Sequence, residues 1–356
     1  MNWQDPVESL NYLNGKPAAN GDIRTEDADF IVEEVLGFEL SGEGEHVCLF
    51  IEKQGENTIY VAKQIAKISG ARNRDVSYSG LKDRHGITRQ WFSVAVPVKT
   101  TIDFSPLESE TIRIVKQTRH LKKLRTGCHR LNKFSIVVRN IDDLADVQAR
   151  IEQIKQQGVP NYFGSQRFGH SGNNLNLAKR LFGGEEIRDR KLRGLVISAA
   201  RSLLFNLLVS QRVKQQRFAQ PIDGDIFRLS GTRSFFSEAM SDTLLARLAE
   251  GDIQIAATLP GDGDWLTKND ALAFEQQVLS EYQSWVDGLI ELRVKVDCRP
   301  IKLEGANLSM QVLNEHSIRL DFDLPTGSFA TALLRELVNV VDCSHKSHLS
   351  QQGPRE

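Results

Sequence analysis

Apolar residues alternate with polar ones in short runs through the first third of the chain, and that period of two predicts strands. Phe30–Val35 and Glu45–Lys53 are such runs, set between glycine-bearing and acidic turns, and Gln90–Val96 is another, ended by Pro97. Between them Ile59, Ala62, Ile65, Ala66 and Ile68 recur at helical spacing. Asn57-Thr58 can cap that helix and Gly70 can end it. Further strands are predicted at Thr111–Val115 and Phe134–Arg139, then a helix from Asp142 to Gln157 that Gly158 breaks. The texture then changes. Two long helices are predicted, about Ser198–Gln215 and Asn269–Gly288, with a polar, glycine-bearing segment at Asp223–Gly231. Alternation returns at Asn307–Leu313 and Ile318–Leu324. After the turn Pro325-Thr326-Gly327 a last helix starts at Ser328, with Leu333, Leu334, Leu337, Val338 and Val341 on one face. Strands at both ends with helices between predict an α+β chain. Residues 1–157 and 307–356 would form one discontinuous β-rich domain, and 158–306 an inserted, largely helical one.

Composition agrees with two soluble domains: the chain has 356 residues, 40% hydrophobic and 26% charged. No uninterrupted apolar run approaches the roughly 18 residues of a membrane span, and the start Met1-Asn2-Trp3-Gln4-Asp5 lacks the features of a secretion signal. Cys48, Cys128, Cys298 and Cys343 are scattered, which argues against disulfides or a zinc site and for a cytoplasmic location. His345 and His348 have no acidic or thiol partner at ligand spacing, so no metal is expected. Net charge is −1, yet Arg113, Lys116, Arg119, Lys122, Lys123, Arg125, Arg130, Lys133 and Arg139 follow one another with no acid among them. A one-signed block on a balanced chain is the footprint of a polyanion or a solvated basic face.

Three segments offer chemistry. In Tyr78-Ser79-Gly80-Leu81-Lys82-Asp83-Arg84-His85-Gly86 a carboxylate stands between two cations in a glycine-bounded turn. Neighbouring cations favour its ionised form, poised as nucleophile or base, although a solvated charged turn has the same residues. In Leu131-Asn132-Lys133-Phe134 an amide and an aromatic two residues apart share one face of a strand. That pairing suits hydrogen bonding and stacking to a flipped base, or a core Phe beside a turn Asn. Pro160-Asn161-Tyr162-Phe163-Gly164-Ser165-Gln166-Arg167-Phe168-Gly169 combines aromatics, an Arg and glycines, as an RNA contact or a hinge would. No dinucleotide fingerprint, phosphate loop or serine nucleophile elbow occurs, so no nucleotide cofactor is expected.

These segments, in this order, resemble the TruD family of tRNA pseudouridine synthases. Asp29-Phe30-Ile31-Val32-Glu33-Glu34, Ala199-Ala200-Arg201-Ser202-Leu203-Leu204-Phe205-Asn206 and Pro325-Thr326-Gly327-Ser328-Phe329-Ala330-Thr331 carry the likeness further, over nearly the whole chain. The resemblance implies conversion of uridine to pseudouridine in tRNA, at position 13 in bacterial members. It implies a V-shaped pair of domains, a mixed-sheet pseudouridine synthase core and an inserted TRUD domain, with RNA in the basic cleft. Asp83 would be the catalytic aspartate, Asn132 would orient it, and Phe134 would stack on the base. Phe30 and Phe329 would line the pocket. Arg24 stands where the family's Lys is expected to pair with the aspartate. Lys122, Lys123, Arg125, Arg130 and Arg167 are the expected phosphate contacts. No cofactor, membrane or obligatory protein partner is expected, and the chain would act as a monomer. The competing classes are a noncatalytic RNA-binding protein and a glycosidase-like hydrolase, which needs a second carboxylate.

Overall fold

The computed structural model describes residues 4–345, so Met1–Trp3 and His348 lie outside it. In chain order the first part forms β1 (Asn20–Ile23), β2 (Phe30–Leu36), β3 (His46–Gln54), α1 (Thr58–Ser69), β4 (Val76–Tyr78), β5 (Ile87–Ala95), β6 (Ile112–His120), β7 (His129–Val138) and α2 (Leu144–Gln157). The middle holds β8 (Val159–Pro160), α3 (Asn173–Phe182), α4 (Arg190–Lys214), β9 (Ile226–Leu229), β10 (Phe235–Phe236), α5 (Asp242–Ala249), β11 (Ile253–Leu259), α6 (Asn269–Leu279), α7 (Gln283–Glu291), β12 (Asp297–Pro300) and β13 (Lys302–Leu303). The end adds β14 (Ala306–Asn314), β15 (Ser317–Pro325), α8 (Ala330–Leu337) and β16 (Asn339–Asp342). The fold is α+β. Contacts divide it into two compact units.

The first unit comprises Pro17–Ile151, Gly305–Gly327 and the chain from Leu337 on. Its sheet runs β14-β15-β7-β2-β5-β3-β6, with β4 beside β5. Only β2 and β5 pair in parallel there, so the sheet is mixed and joins both ends of the sequence. Alternation decides its faces: Val47, Leu49 and Ile51 of β3 and Phe92 and Val94 of β5 meet Val61, Ile65 and Ala66 of α1. The α1 helix forms because Asn57 Oδ1 accepts the Tyr60 amide at 2.7 Å, and it stops because Gly70 takes φ 69°. Ile65 is fully buried, so Ile65→Ala costs about 2–5 kcal/mol. Trp91, Cys48 and Leu124 form a separate buried cluster, with Phe50 stacked on Trp91 at 4.9 Å. β1 and β16 make a separate parallel pair, Ile23 opposite Asp342.

The second unit comprises the chain up to Lys16, Glu152–Glu304 and Ser328–Glu336. α4 runs through its core, burying Val196, Ala199, Leu203, Phe205, Leu208 and Val209. Among the described residues it is the one helix long and apolar enough to cross a membrane, and over half of its apolar window is buried inside the protein. Its polar side chains are matched: Asn206 exchanges two hydrogen bonds with the Phe163 backbone, and Arg212 pairs with the buried Asp225.

Four differences from the expected elements have local causes. A four-stranded antiparallel sheet, β10-β9-β11-β12, stands in the segment expected to be largely helical. Its strands are short, and Ala256-Ala257 in β11 masks the β signal. The helix expected over 269–288 breaks at Ser280–Tyr282, where the Ser280 hydroxyl donates to the Gln277 carbonyl. The last helix ends at Leu337 rather than continuing through Val341. The β-branched run Val338, Val340 and Val341 resists helix, and the edge of β1 takes it as a strand. β6 and β7 extend several residues beyond the predicted strands, into the basic block.

Candidate active site

The Asp83 loop joins β4 to β5 and is fastened from several sides. Thr58, the first residue of α1, donates its hydroxyl to Gln90 Oε1 at 2.8 Å and accepts the Lys82 amide at 3.0 Å. Gln90 Nε2 donates to the Gly80 carbonyl at 3.1 Å. Lys53 Nζ donates to the Asp83 carbonyl at 2.9 Å and the Glu56 carbonyl at 2.7 Å. Arg84 Nε donates to the Gly55 carbonyl at 2.9 Å. Gly86 ends the loop at φ 142°, and a Cβ there would lie 2.4 Å from the Phe30 carbonyl oxygen. The loop backbone is therefore held by side chains that cost free energy to bury unless satisfied.

Within this frame Asp83 Oδ2 meets Arg24 Nη2 at 3.0 Å, and the carboxylate stays 43% exposed. Arg24 follows β1 with φ 54°, is 7% exposed, and lies 3.8 Å from the Phe30 ring centroid. Its other arm, Nη1, meets Asp342 Oδ2 at 2.5 Å. Burial raises the Asp342 pKa, but the Arg24 charge and the hydrogen bonds from Ser344 outweigh that and hold it below the usual value.

The cations expected to serve Asp83 are committed elsewhere. Lys82 Nζ forms a buried ion pair with Glu34 at 2.9 Å, and Arg84 is spent on a backbone carbonyl. Residues adjacent in an extended turn point in different directions, so sequence neighbours of a carboxylate need not face it. The positive surroundings come instead from Arg24 and from Lys53. Burial pushes the Lys53 ammonium down to about 8, partly opposed by Asp83.

The aromatic side of the site lies on the sheet. Phe134 is paired across β7 and β15 with Phe322 and stacks on it at 5.2 Å, while Phe30 meets Phe134 edge-on at 6.3 Å. Phe30 is 3% exposed, so its ring supports Arg24 and Phe134 from within the fold. Asn132 Nδ2 lies 3.4 Å from His129 Nε2, and its Oδ1 is buried with no hydrogen-bond partner. The expected Asn132–Asp83 hydrogen bond is not formed. The strand register explains this: Asn132 sits between Leu324 and Glu34, on strands that do not carry Asp83. Phe329 belongs to the second unit, where it packs edge-on against Phe163 at 5.8 Å. Arg167 is beside it, with its guanidinium 5.6 Å from both ring centroids and Nη1 3.3 Å from Ser198 Oγ.

The basic block divides into structural and open cations. Arg113 pairs with Glu52, Arg139 with Asp29, and Arg119 donates to the carbonyls of Gly44, Val96 and Thr100. Lys122, Lys123 and Arg125 occupy the exposed loop between β6 and β7, and Arg130 is exposed at the start of β7. Among the described residues none of these four forms an ion pair.

The sequence model of the family described as tRNA pseudouridine synthase D (TruD) matches residues 6–187 and 183–337. The chain belongs to the TruD family of tRNA pseudouridine synthases. A tRNA pseudouridine synthase D from Pseudoalteromonas translucida is 50% identical over 351 residues, 98% of this chain and 99% of that one. Its counterpart from Aeromonas salmonicida is 44% identical over 340 residues, 95% and 96% of the two chains. A crystal structure from Methanosarcina mazei, described as a tRNA pseudouridine synthase D, aligns with TM-score 0.74 at 22% identity, covering 95% of this chain and 98% of that one. That likeness extends the TruD fold to this chain.

Sequence reasoning missed Lys53, Glu34, Gln90 and Asp342 around the loop. Three left a signal. Lys53 continues the Val47, Leu49, Ile51 phase, Glu34 the Phe30, Val32 phase, and Gln90 precedes Phe92 and Val94, each a polar residue in the buried phase of a strand. Asp342 left none, because only the β1–β16 pairing brings it to Arg24.

Proposed function

We propose that the protein isomerises uridine to pseudouridine in tRNA, at position 13, with Asp83 as the catalytic residue. The observation that carries this is a half-exposed carboxylate paired with buried Arg24 on a loop fastened by Thr58, Gln90 and Lys53. The reaction breaks the N1–C1′ bond, turns the uracil and joins C5 to C1′, so no atom or electron passes to a cofactor. It needs an extruded base and an ionised group beside the sugar. Asp83 fills that role, whether it attacks C1′, takes the C2′ proton or adds to uracil C6. Asn132, with its unpartnered Oδ1, and Phe134 serve the base, with Phe30 edge-on to Phe134; Phe329, on the second unit, is assigned to substrate binding by the family resemblance. Lys122, Lys123, Arg125, Arg130 and Arg167 contact tRNA phosphates.

In this reading 1–157 and 307–356 form the pseudouridine synthase domain and 158–306 the inserted TRUD domain. The eight-stranded sheet built from both ends of the chain supports the core of that division, while the chain up to Lys16, 152–157 and Ser328–Glu336 belong to the second compact unit. The protein works as a cytoplasmic monomer away from membranes; the core burial of α4 supports its reading as a core helix. The test is Asp83→Asn, assayed by tritium release from 5-tritiated uridine tRNA with pseudouridine mapped along the product. Loss of release with tRNA binding retained is expected; substantial turnover in the variant would sink the assignment.

A further inference from the structure

Arg24 holds two carboxylates at once. Nη2 is 3.0 Å from Asp83 Oδ2 and Nη1 is 2.5 Å from Asp342 Oδ2, while its guanidinium lies 3.8 Å from the Phe30 ring centroid. A guanidinium placed over a ring and tied at only one nitrogen can still turn in its plane. The second tie removes that freedom. Asp342 is itself fixed: its Oδ1 accepts the Ser344 amide at 3.0 Å, and its backbone is in register with Ile23, the residue before Arg24. The parallel β1–β16 pair therefore sets the counter-carboxylate beside the arginine that faces the catalytic one.

Resting on the reading of Asp83 as the reacting carboxylate, we propose that Asp342 is a positioning residue for the isomerisation. It locks the orientation of Arg24, so that the guanidinium holds the Asp83 carboxylate in one alignment. Asp342 does not act as the proton-donating second carboxylate of a glycosidase, since its oxygens are engaged by Arg24 and by the Ser344 amide.

The test compares Asp342→Asn and Asp342→Glu in single-turnover pseudouridine formation and tRNA affinity. The other charged groups around Asp83 are common to all variants. These are Lys53 on its carbonyl, the Lys82–Glu34 pair with buried His129 near it, Arg84 on the Gly55 carbonyl, and His85 in the same loop. Asp342→Asn keeps an accepting oxygen and the side-chain size, so folding is retained. Its rate should fall about tenfold to a hundredfold, in line with misplacement of a reacting group. Its tRNA Kd should change less than about twofold, because no phosphate contact is lost. Asp342→Glu, which keeps a carboxylate able to reach Arg24, should recover part of the rate. An unchanged rate in Asp342→Asn, or a loss of affinity matching the loss of rate, overturns the proposal. If Asp83→Asn is inactive while Asp342→Asn is normal, only this inference falls. If Asp83→Asn turns over, both readings fall.

Discussion

Replacing Lys53 by Met tests the buried anchor of the Asp83 loop. Lys53 is 1% exposed, and burial takes its ammonium from 10.5 down to about 8. The unfolded chain keeps the proton to about 10.5, so between pH 8 and 10.5 it binds more protons than the folded chain, and stability rises with pH in that window. The gap between 10.5 and about 8 corresponds to on the order of 3 kcal/mol. That cost is fully present below pH 8 and is relieved as the folded amine loses its proton. Lys53→Met removes it but strands the carbonyls of Glu56 and Asp83, at about 1–3 kcal/mol each. At pH 7 the two effects nearly cancel. Urea titrations at pH 7, 8, 9 and 10 should therefore show the wild-type stability climbing relative to the variant by roughly 2–3 kcal/mol. A difference that stays flat over this range refutes a charged, buried lysine. Turnover should fall in the variant even where stability is matched, because the Asp83 backbone has lost its tie.

Three further outcomes follow from the same geometry. Lys82→Met leaves Glu34 buried without its cation and should lower unfolding free energy by about 3–5 kcal/mol, measured by urea midpoint. Gly86→Ala brings a Cβ within 2.4 Å of the Phe30 carbonyl at φ 142°, so it should destabilise the protein by roughly 1–3 kcal/mol or more and suppress turnover together. Neutralising Lys122, Lys123 and Arg125 should weaken tRNA binding and flatten the dependence of log K on log salt by roughly 2–3. Filter binding across a salt series checks this, and an unchanged slope would place the phosphates elsewhere.

The sheet was legible because its strands alternate cleanly. Phe30–Val35, Glu45–Lys53 and Ile318–Leu324 each fall within or beside an observed strand, and the cap at Asn57 and stop at Gly70 are where the residues imply them. The short strands of the second unit were not legible, since β9 and β12 are only four residues long, β12 contains Asp and Pro, and β11 contains paired Ala. At the site, the loop and its Arg24 contact followed from motif and family resemblance. The roles of Lys82 and Arg84 did not, because adjacency in sequence says nothing about side-chain direction in a turn. A polar residue in the buried phase of a strand was the available signal for Lys53, Glu34 and Gln90, and it points to a site more directly than a charged turn does.

Exposure separates the parts of this site. Glu34 is 2% exposed, Lys53 1%, Gln90 0% and Arg24 7%, whereas the Asp83 carboxylate is 43% exposed. Burying charged and amide groups under an open turn is costly, and the same turn would be cheaper on a purely apolar base. The cost has a physical return if the exposed carboxylate must hold one orientation while a nucleotide is brought to it, because alignment built into the fold need not be created during the reaction. A charged turn kept only for solubility would need no such support. The buried network under Asp83, more than the carboxylate itself, is what distinguishes the two.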